Sequence, residues 1–596
     1  MSYDLLIIAS DACSTSNFSH MDFQGLADKW GMTLDEWNRM IDARPPRWTV
    51  NDTEMIFPAQ DLYFRNGRQL QISEAERRAY YESRGSQELK YLNGIALADF
   101  TTRHGYSVEV INTLAPDFHN LEHYLQMGPR AVAISTTFIP NRRRVEEIAA
   151  WIKQRDPSIH VIVGGPLVRF SHMIHEQKPD IADLPLIDGL YFFQKNEPHP
   201  NPSIDALVVD ARGEQTLIKI LDHIKKGQDY QQLANVAYYG SDHRLTVNPL
   251  EPEQMGVEEW EIDWENLPER FLGPVVAVRG SLGCPLRCKF CSFVVLYPEW
   301  ELKSVDFMER ELQKIASRSF IKSICFVDDN LFLRRDQVDR YSRMMAKAKL
   351  PFSWSGFIRV DSVTEENVDW IAESKCAGMM LGIESGDPTV LKNMRKVQRP
   401  ERVLNNIGLV NNRGITTHSS FIVGFPGETE ETVGNTIELL NNFEDSGPGF
   451  NWFNAWINAI LPLTPVDKEG EKWGVEGYLC DWKHDTMTVA EAGEQIKRIY
   501  REVTKGAYVG YLFDDMGRFA YPGGHQDNLE AMRLRQALAV MDEDGLESFN
   551  GVTRQEALDQ LEHLVIHKPD QIAVETETEE PAEKEINPLL SGSTDR

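Results

Sequence analysis

Three cysteines, Cys284, Cys288 and Cys291, fall within eight residues in the run Arg279-Gly-Ser-Leu-Gly-Cys284-Pro-Leu-Arg-Cys288-Lys-Phe-Cys291. In a reducing compartment, cysteines this close point to a metal centre, because soft thiolates select zinc or iron–sulfur clusters. A structural zinc wants a fourth ligand, usually from a second Cys or His pair, and the nearby sequence offers none. A four-iron cluster held by three cysteines leaves one iron without a protein ligand, an open position for an amino and a carboxylate group. The other cysteines, Cys13, Cys325, Cys376 and Cys480, are isolated and read as small core residues.

The chain that must position this loop has 596 residues and a formal net charge of −29. That length allows two or three domains, since single cores stop growing near ~250–300 residues. The charge would repel a polyphosphate backbone, so general nucleic-acid binding is disfavoured and a small-molecule or peptide substrate is expected. Seven cysteines, an odd number, do not describe a disulfide framework. No apolar run has the length of a membrane span, and MSYDLLIIAS lacks the basic region of a signal peptide, so a cytoplasmic setting is expected.

Asp4 to Ala9 reads as a first strand, followed by an insertion near 18–93 that repeats no simple unit. From Gly94 short β-branched runs alternate with amphipathic helices, with strands at Ser107–Asn112, Ala131–Ser135, His160–Val163 and Ala206–Val209. That alternation predicts a doubly wound, mostly parallel α/β domain over 1–245. Ligands of such sheets lie beyond the carboxyl ends of the strands, which places Ser135, Thr136, Thr137, Gly164, Gly165, Asp210, Gly213 and Glu214 on one rim.

The acidic, proline-bearing segment 246–270 suits a linker. A second α/β run over 271–480 predicts a partial β/α barrel with strands near Gly273–Arg279, Ser323–Val327, Ser353–Ile358, Met379–Ile383, Thr417–Val423 and Trp456–Leu461. The region 481–570 reads as helical, and 571–596 as a disordered acidic tail. Phe450-Asn-Trp452-Phe453-Asn454-Ala-Trp456 could form an aromatic wall, although such runs are more often core.

The spacing Cys-x3-Cys-x2-Cys with Phe290 before the last cysteine resembles the radical S-adenosylmethionine (SAM) superfamily. The resemblance extends to Ile383-Glu384-Ser385-Gly386, similar to the segment that contacts the SAM ribose or amino group. It also covers Phe421-Ile-Val-Gly424-Phe-Pro426-Gly427-Glu428, similar to the turn near the adenine. It implies that Asp328, Asp329 and Asn330 meet the methionyl amino group and Arg359 the carboxylate, with Phe290 also among the SAM-binding residues. A Rossmann-like domain placed before the barrel is similar to the subgroup that binds cobalamin there, with Ala133-Ile-Ser135-Thr-Thr137, Val163-Gly164-Gly165 and Gly213-Glu214-Gln-Thr216 as matching stretches. Leu461-Pro-Leu-Thr464-Pro465 departs from the subgroup's Pro-Gly-Thr-Pro by carrying Leu463. Asp117-Phe-His119-Asn-Leu-Glu122 lacks the glycine and the position of the motif that supplies a lower cobalt ligand, so His119 is read as a surface or helix-start residue, and His20 and His418 as structural.

The resemblance implies a [4Fe-4S] cluster, SAM and cobalamin as cofactors and an external one-electron reductant of the flavodoxin or ferredoxin type. It implies a methyltransferase that methylates an unactivated carbon through a 5′-deoxyadenosyl radical. The alternatives are a rearrangement or cyclisation with the same cofactors, a cobalamin-free binding module before the barrel, or a cluster that only carries electrons.

Overall fold

The computed structural model describes residues 3–566 apart from 12–22, most of 35–88, 116–117, 182–183, 186, 194–198, 200–201, 445–446, 509–529 and scattered positions between 531 and 543. Cys13, His20, Asp117, most of the expected insertion and the expected acidic tail lie outside the described residues.

The first domain is a seven-stranded sheet of β1 (Leu5–Ser10), β3 (Val108–Ile111), β4 (Ala131–Phe138), β5 (His160–Gly164), β6 (Ala206–Val208), β7 (Val236–Tyr239) and β8 (Leu245–Val247), in the order β8-β7-β6-β5-β4-β1-β3. The five strands β3, β1, β4, β5 and β6 are parallel, and β7 and β8 close one edge in antiparallel fashion. β1 lies between β3 and β4, with Leu5 opposite both Val108 and Ala131. The strand order therefore reverses at β1, and the crevice beyond β1 and β4 is where such a sheet takes its ligand. All six residues of β1 are buried, as expected of a strand covered by helices on both faces. Those helices are α2 (Leu92–Arg103), α3 (His119–Leu125), α4 (Arg142–Arg155), α5 (Pro166–Gln177) and α6 (Glu214–Lys226), with α1 (Phe23–Lys29) before them in the chain.

The second domain is a run of six parallel strands in sequence order: β9 (Val275–Val278), β10 (Ser323–Phe326), β11 (Ser353–Phe357), β12 (Cys376–Glu384), β13 (Thr416–Val423) and β14 (Asn451–Ile457). Helices α8 (Val305–Ala316), α9 (Arg335–Ala348), α10 (Val368–Glu373), α12 (Pro400–Asn411) and α13 (Glu430–Asn441) connect them, with the short α7 (Phe293–Leu296) and α11 (Pro388–Asn393) in loops. This is a partial β/α barrel beside a Rossmann-like domain. The sixth strand is Asn451–Ile457, a few residues before the expected Trp456–Leu461. Asn451 and Asn454 interrupt the apolar pattern that marks a strand, yet both are buried and the residues between them pair with β13.

Each end of the barrel sheet gains a short strand from elsewhere: β2 (Leu89–Lys90) pairs in parallel with β9, and Ala507–Tyr508 with β14. β2 falls inside the expected insertion. Asn112 fixes it from the first domain, accepting from the Tyr91 N–H at 3.0 Å and donating to the Leu89 carbonyl at 3.2 Å. The region expected to be helical after 481 carries α14 (Val489–Glu502) and the helix Arg554–Ile566, with short antiparallel strands such as Asp481–His484 added. From the insertion, Lys29 and Trp30 reach Asp481 at 2.6 and 2.8 Å.

The linker is packed rather than loose. Ile262, Trp264, Leu267 and Phe271 are buried in a core shared by both domains. The Trp264 indole N–H donates to Glu311 at 3.1 Å, and Glu311 pairs with Lys303 at 2.6 Å, with the pair 2% and 4% exposed. Lys303 follows the hairpin that carries the cysteines, and its N–H donates to the Gly280 carbonyl at 2.8 Å.

Removing one partner of a buried ion pair strands the other charge. Glu311→Ala should therefore lower the unfolding free energy by about 3–5 kcal/mol, while the double replacement Lys303→Met/Glu311→Leu should recover most of that loss. Urea denaturation of the three proteins checks this.

Candidate functional site

The cysteine loop is held by the end of the neighbouring strand. After β9 the chain turns over the buried carboxylate of Asp328, which follows β10. The Gly280 N–H donates to it at 2.9 and 3.1 Å, the Ser281 hydroxyl at 2.7 Å, and the Ser281 N–H as well. Burial still pushes the Asp328 carboxyl up to about 6. Asp329 accepts from the Gly283 N–H at 3.0 Å, and the Asn330 amide nitrogen approaches the Cys284 Sγ at 3.6 Å.

Gly283 has φ +76°, and a Cβ there would run into the Glu299 carbonyl oxygen. Only glycine suits both conditions. Beyond it, the Cys284 N–H donates to the Tyr297 carbonyl at 3.2 Å, and Ser281–Leu282 pairs with Glu301–Leu302 to close the hairpin.

The three thiols are free and interact electrostatically with one another. Burial raises the Cys288 thiol, while Lys396 and Arg359 draw it down and Glu384 opposes them. Burial pushes Cys291 up to about 12 against the N–H groups of Phe293 and Val294 at the start of α7. Metal binding at such thiols must release protons. Among the described residues, no group of three His, Cys, Asp or Glu side chains converges on a single ion.

Glu384 ends β12 with φ +70° and pairs with Lys396 at 2.8 Å, both largely buried. Arg359 grips Asp361 through two nitrogens at 3.0 and 2.9 Å. Phe290 is half-buried against the core. Ser385 accepts from the Asp387 N–H at 3.1 Å and lies 3.4 Å from the Thr436 hydroxyl. The Gly424 N–H donates to Glu428 at 2.5 Å, and its carbonyl takes the Asn458 amide at 3.2 Å and the His484 ring at 3.1 Å. The structure thus gathers Glu384, Arg359 and the Asp328–Asn330 run around the cysteines, and holds Ser385 and Gly424 in turns at the ends of β12 and β13. His119 begins α3.

The rim of the first domain faces this loop. Thr136 donates to the Gly164 carbonyl at 3.0 Å and accepts from the Leu167 N–H at 3.2 Å, while Thr137 is exposed. Gly165 has φ +112°, and a Cβ there would lie 2.9 Å from the Thr136 hydroxyl. Asp210 accepts from the N–H groups of Arg212 at 2.8 Å and Glu253 at 3.1 Å, and Gly213 caps α6.

Several residues that spacing did not single out complete the site. Arg212 pairs with Glu301 on the cysteine hairpin. Asn93 donates to the Ala9 carbonyl at 2.8 Å and to Ser135 at 2.9 Å. Arg279 lies over the Trp260 ring, 5.7 Å from its centroid. Burial pushes the Tyr297 phenol up to about 12, and Arg279, Asp329, Glu214 and Arg212 all act on it, so these groups share one buried seam between the domains. Asn93 Oδ1, Glu214 Oε2 and Trp260 Nε1 are sealed from solvent without a hydrogen-bond partner among the described residues. Asn93 and Trp260, polar singletons in unrelated segments, carry no sequence signal, whereas Glu214 is one of the rim residues expected from the sequence.

Residues 278–440, which contain the cysteine loop and β10 through α13, match the family model of the radical SAM superfamily. The chain carries a radical SAM domain. An uncharacterized methyltransferase of Pyrococcus horikoshii is 26% identical over 435 residues, 70% of this chain and 87% of the relative. An anaerobic magnesium-protoporphyrin IX monomethyl ester cyclase of Rubrivivax gelatinosus is 22% identical over 58% of this chain, which spans 64% of that relative. A radical SAM methyltransferase of Kitasatospora setae, solved with cobalamin and a [4Fe-4S] cluster, shares 17% identity at a TM-score of 0.48, over 68% of this chain and 82% of that one. Within the radical SAM domain, the cysteine hairpin meets the first domain through the Arg212–Glu301 pair.

Two measurements follow. Gly283→Ala should shift the hairpin and cut the iron held after anaerobic reconstitution by more than half, read by iron and sulfide analysis against wild type. Burial, reinforced by Glu253, pushes the Glu214 carboxyl up to about 7, with Arg279 and Arg212 opposing. A carboxyl raised on folding stabilises the fold below its unfolded value near 4.5 and loses that contribution as pH rises through about 7. Between pH 7.5 and 5 the denaturation midpoint of wild type should therefore gain on that of Glu214→Gln.

Proposed function

We propose that this protein is a cobalamin-dependent radical SAM methyltransferase acting on an unactivated carbon of a small molecule or peptide. The observation that carries the reading is the seam itself. A cysteine hairpin fit for a [4Fe-4S] cluster faces a Rossmann-like rim, and buried polar atoms of Asn93 and Glu214 there and of Trp260 in the linker lack partners among the described residues. Buried polar groups are otherwise paired, and a corrin ring edged with amide side chains offers both donors and acceptors to such atoms. The name of the Pyrococcus relative supports methyl transfer as the outcome.

Cys284, Cys288 and Cys291 would hold the cluster, with Asp328, Asp329 and Asn330 keeping the hairpin in place. When bound, the cluster supplies one electron from an external donor, SAM the adenosyl and methyl groups, and cobalamin a methyl carrier. Glu384, paired with Lys396, would meet the ammonium group of SAM and Arg359, paired with Asp361, its carboxylate. Thr136 and Gly165 shape the rim where cobalamin would lie, and Thr137 leaves an exposed hydroxyl there. His119, at the start of α3, supplies no lower ligand in this reading. The packed seam keeps water away from reactive intermediates.

Anaerobic purification with hydroxocobalamin, followed by cluster reconstitution, tests the assignment. Wild type should hold about four irons together with cobalt, and should convert SAM to 5′-deoxyadenosine under strong reductant. Cys284→Ala/Cys288→Ala/Cys291→Ala should lose the iron and the cleavage and keep the cobalt. Iron without cobalt would reduce the first domain to a binding module, and zinc in place of iron would overturn the assignment.

A further inference from the structure

The interior of the barrel is lined by one side of each strand. On β13, Thr417 and Ser419 donate to Asn451 at 2.9 and 2.7 Å on the side away from the lumen, so His418 and Ser420 point inward, with Met380 opposite His418 and Trp452 on its other side in register. On β14 the same alternation turns Asn454 and Trp456 inward. Inward-facing Val275, Ala277, Cys325 and Met380 form a small apolar cluster with Leu89, separate from the main core, against which Phe357 packs. Toward the carboxyl ends of the strands Phe357, Ser420, Ile422 and Trp456 are only half-buried. The lumen is therefore open at the mouth, where the cysteine loop sits, and closed below.

Below the mouth two polar side chains face each other, His418 beside Met380 and Asn454 level with Ser420. His418 is 4% exposed and Asn454 0%; beyond their contact with each other, His418 Nε2 and both polar atoms of Asn454 make no hydrogen bond to any described residue. Asn454 stands close enough to favour the charged imidazole, yet burial prevails and pushes His418 down to about 4, so the ring is neutral near pH 7. A carboxamide and a neutral imidazole together offer donors and acceptors but no charge. Leaving such atoms unpaired in an apolar interior costs about 1–3 kcal/mol each, which a bound group with matching donors and acceptors removes.

We propose that His418 and Asn454 form the floor of a substrate pocket inside the barrel, specific for a neutral group that both donates and accepts hydrogen bonds, such as a carboxamide or heteroaromatic N–H, carried on a flat apolar body. Met380 and Phe357 supply the apolar wall. A carboxylate or phosphate finds no countercharge there, and burying it unpaired is unfavourable. As a substrate subsite the pocket rests on the reading of the barrel mouth as the reaction centre; its binding chemistry does not.

Ligand-observed NMR on the full-length protein as purified, with benzamide as the neutral probe and benzoate as its charged isostere, tests the pocket. Benzamide should bind at least tenfold more tightly than benzoate, and His418→Phe/Asn454→Leu should weaken it at least tenfold. His418→Gln, which keeps a neutral donor and acceptor, should retain most of the binding, and iron content would report that each variant is folded. No benzamide binding, equal binding of benzoate, or binding indifferent to the double substitution would overturn the pocket, leaving water as its occupant. Because the readout needs neither SAM cleavage nor cobalt, a protein that binds benzamide in this way but fails to cleave SAM would refute the proposed function alone, and one that cleaves SAM but ignores benzamide would refute only the pocket.

Discussion

A single buried carboxylate governs the geometry of the site. Asp328 collects N–H and O–H donors from Gly280 and Ser281 where β9 gives way to the cysteine hairpin, and its neighbours Asp329 and Asn330 reach the next residues along, Gly283 and Cys284. Asp328 and Asp329 thus hold the backbone that leaves β9, and Asn330 reaches the Cys284 sulfur. A carboxylate without those donors would be costly at this depth, and the turn without the carboxylate would leave its amides stranded, so each part stabilises the other. The far arm of the hairpin is tied down in the same way, through the Lys303–Glu311 pair and Trp264.

The seam between the domains extends that logic. Arg212 on the Rossmann-like rim pairs with Glu301 on the hairpin, and Arg279, Tyr297, Glu214 and Asp329 crowd together behind it. The cysteine loop is therefore shaped partly by the first domain, and the rim of that domain partly by the loop. Such mutual dependence suits chemistry that must bring two bound groups to one point without admitting water.

Much of this architecture is legible in the sequence because it rests on local patterns. The alternation of β-branched runs and amphipathic helices marks the parallel strands, and the cysteine spacing marks the loop proposed to hold the cluster. What escapes is decided by contacts distant in sequence. The strand Asn451–Ile457 is obscured by two asparagines that become reasonable only once their positions beside β13 and the lumen are known. Asn93, Trp260 and Tyr297 are unremarkable residues until the fold seals their polar atoms into one seam. His418, read from sequence as structural, gains interest only from the inward alternation of its strand and from Asn454 on the next.

The short strand Leu89–Lys90 bears on how this architecture can be inherited and made. It is an outer strand of the barrel sheet, yet it lies far before β9 in the chain and leads directly into α2, which packs on the Rossmann-like sheet. The two halves are interlocked rather than strung in tandem, so a gene cut at the linker would yield a barrel with a raw edge and a first half with a dangling strand. During synthesis that strand leaves the ribosome long before its partner exists, and the first half must hold it in readiness until the barrel arrives. Lineages that exchange the first half for another would have to replace the edge strand as well, which sets the unit of recombination at the whole pair.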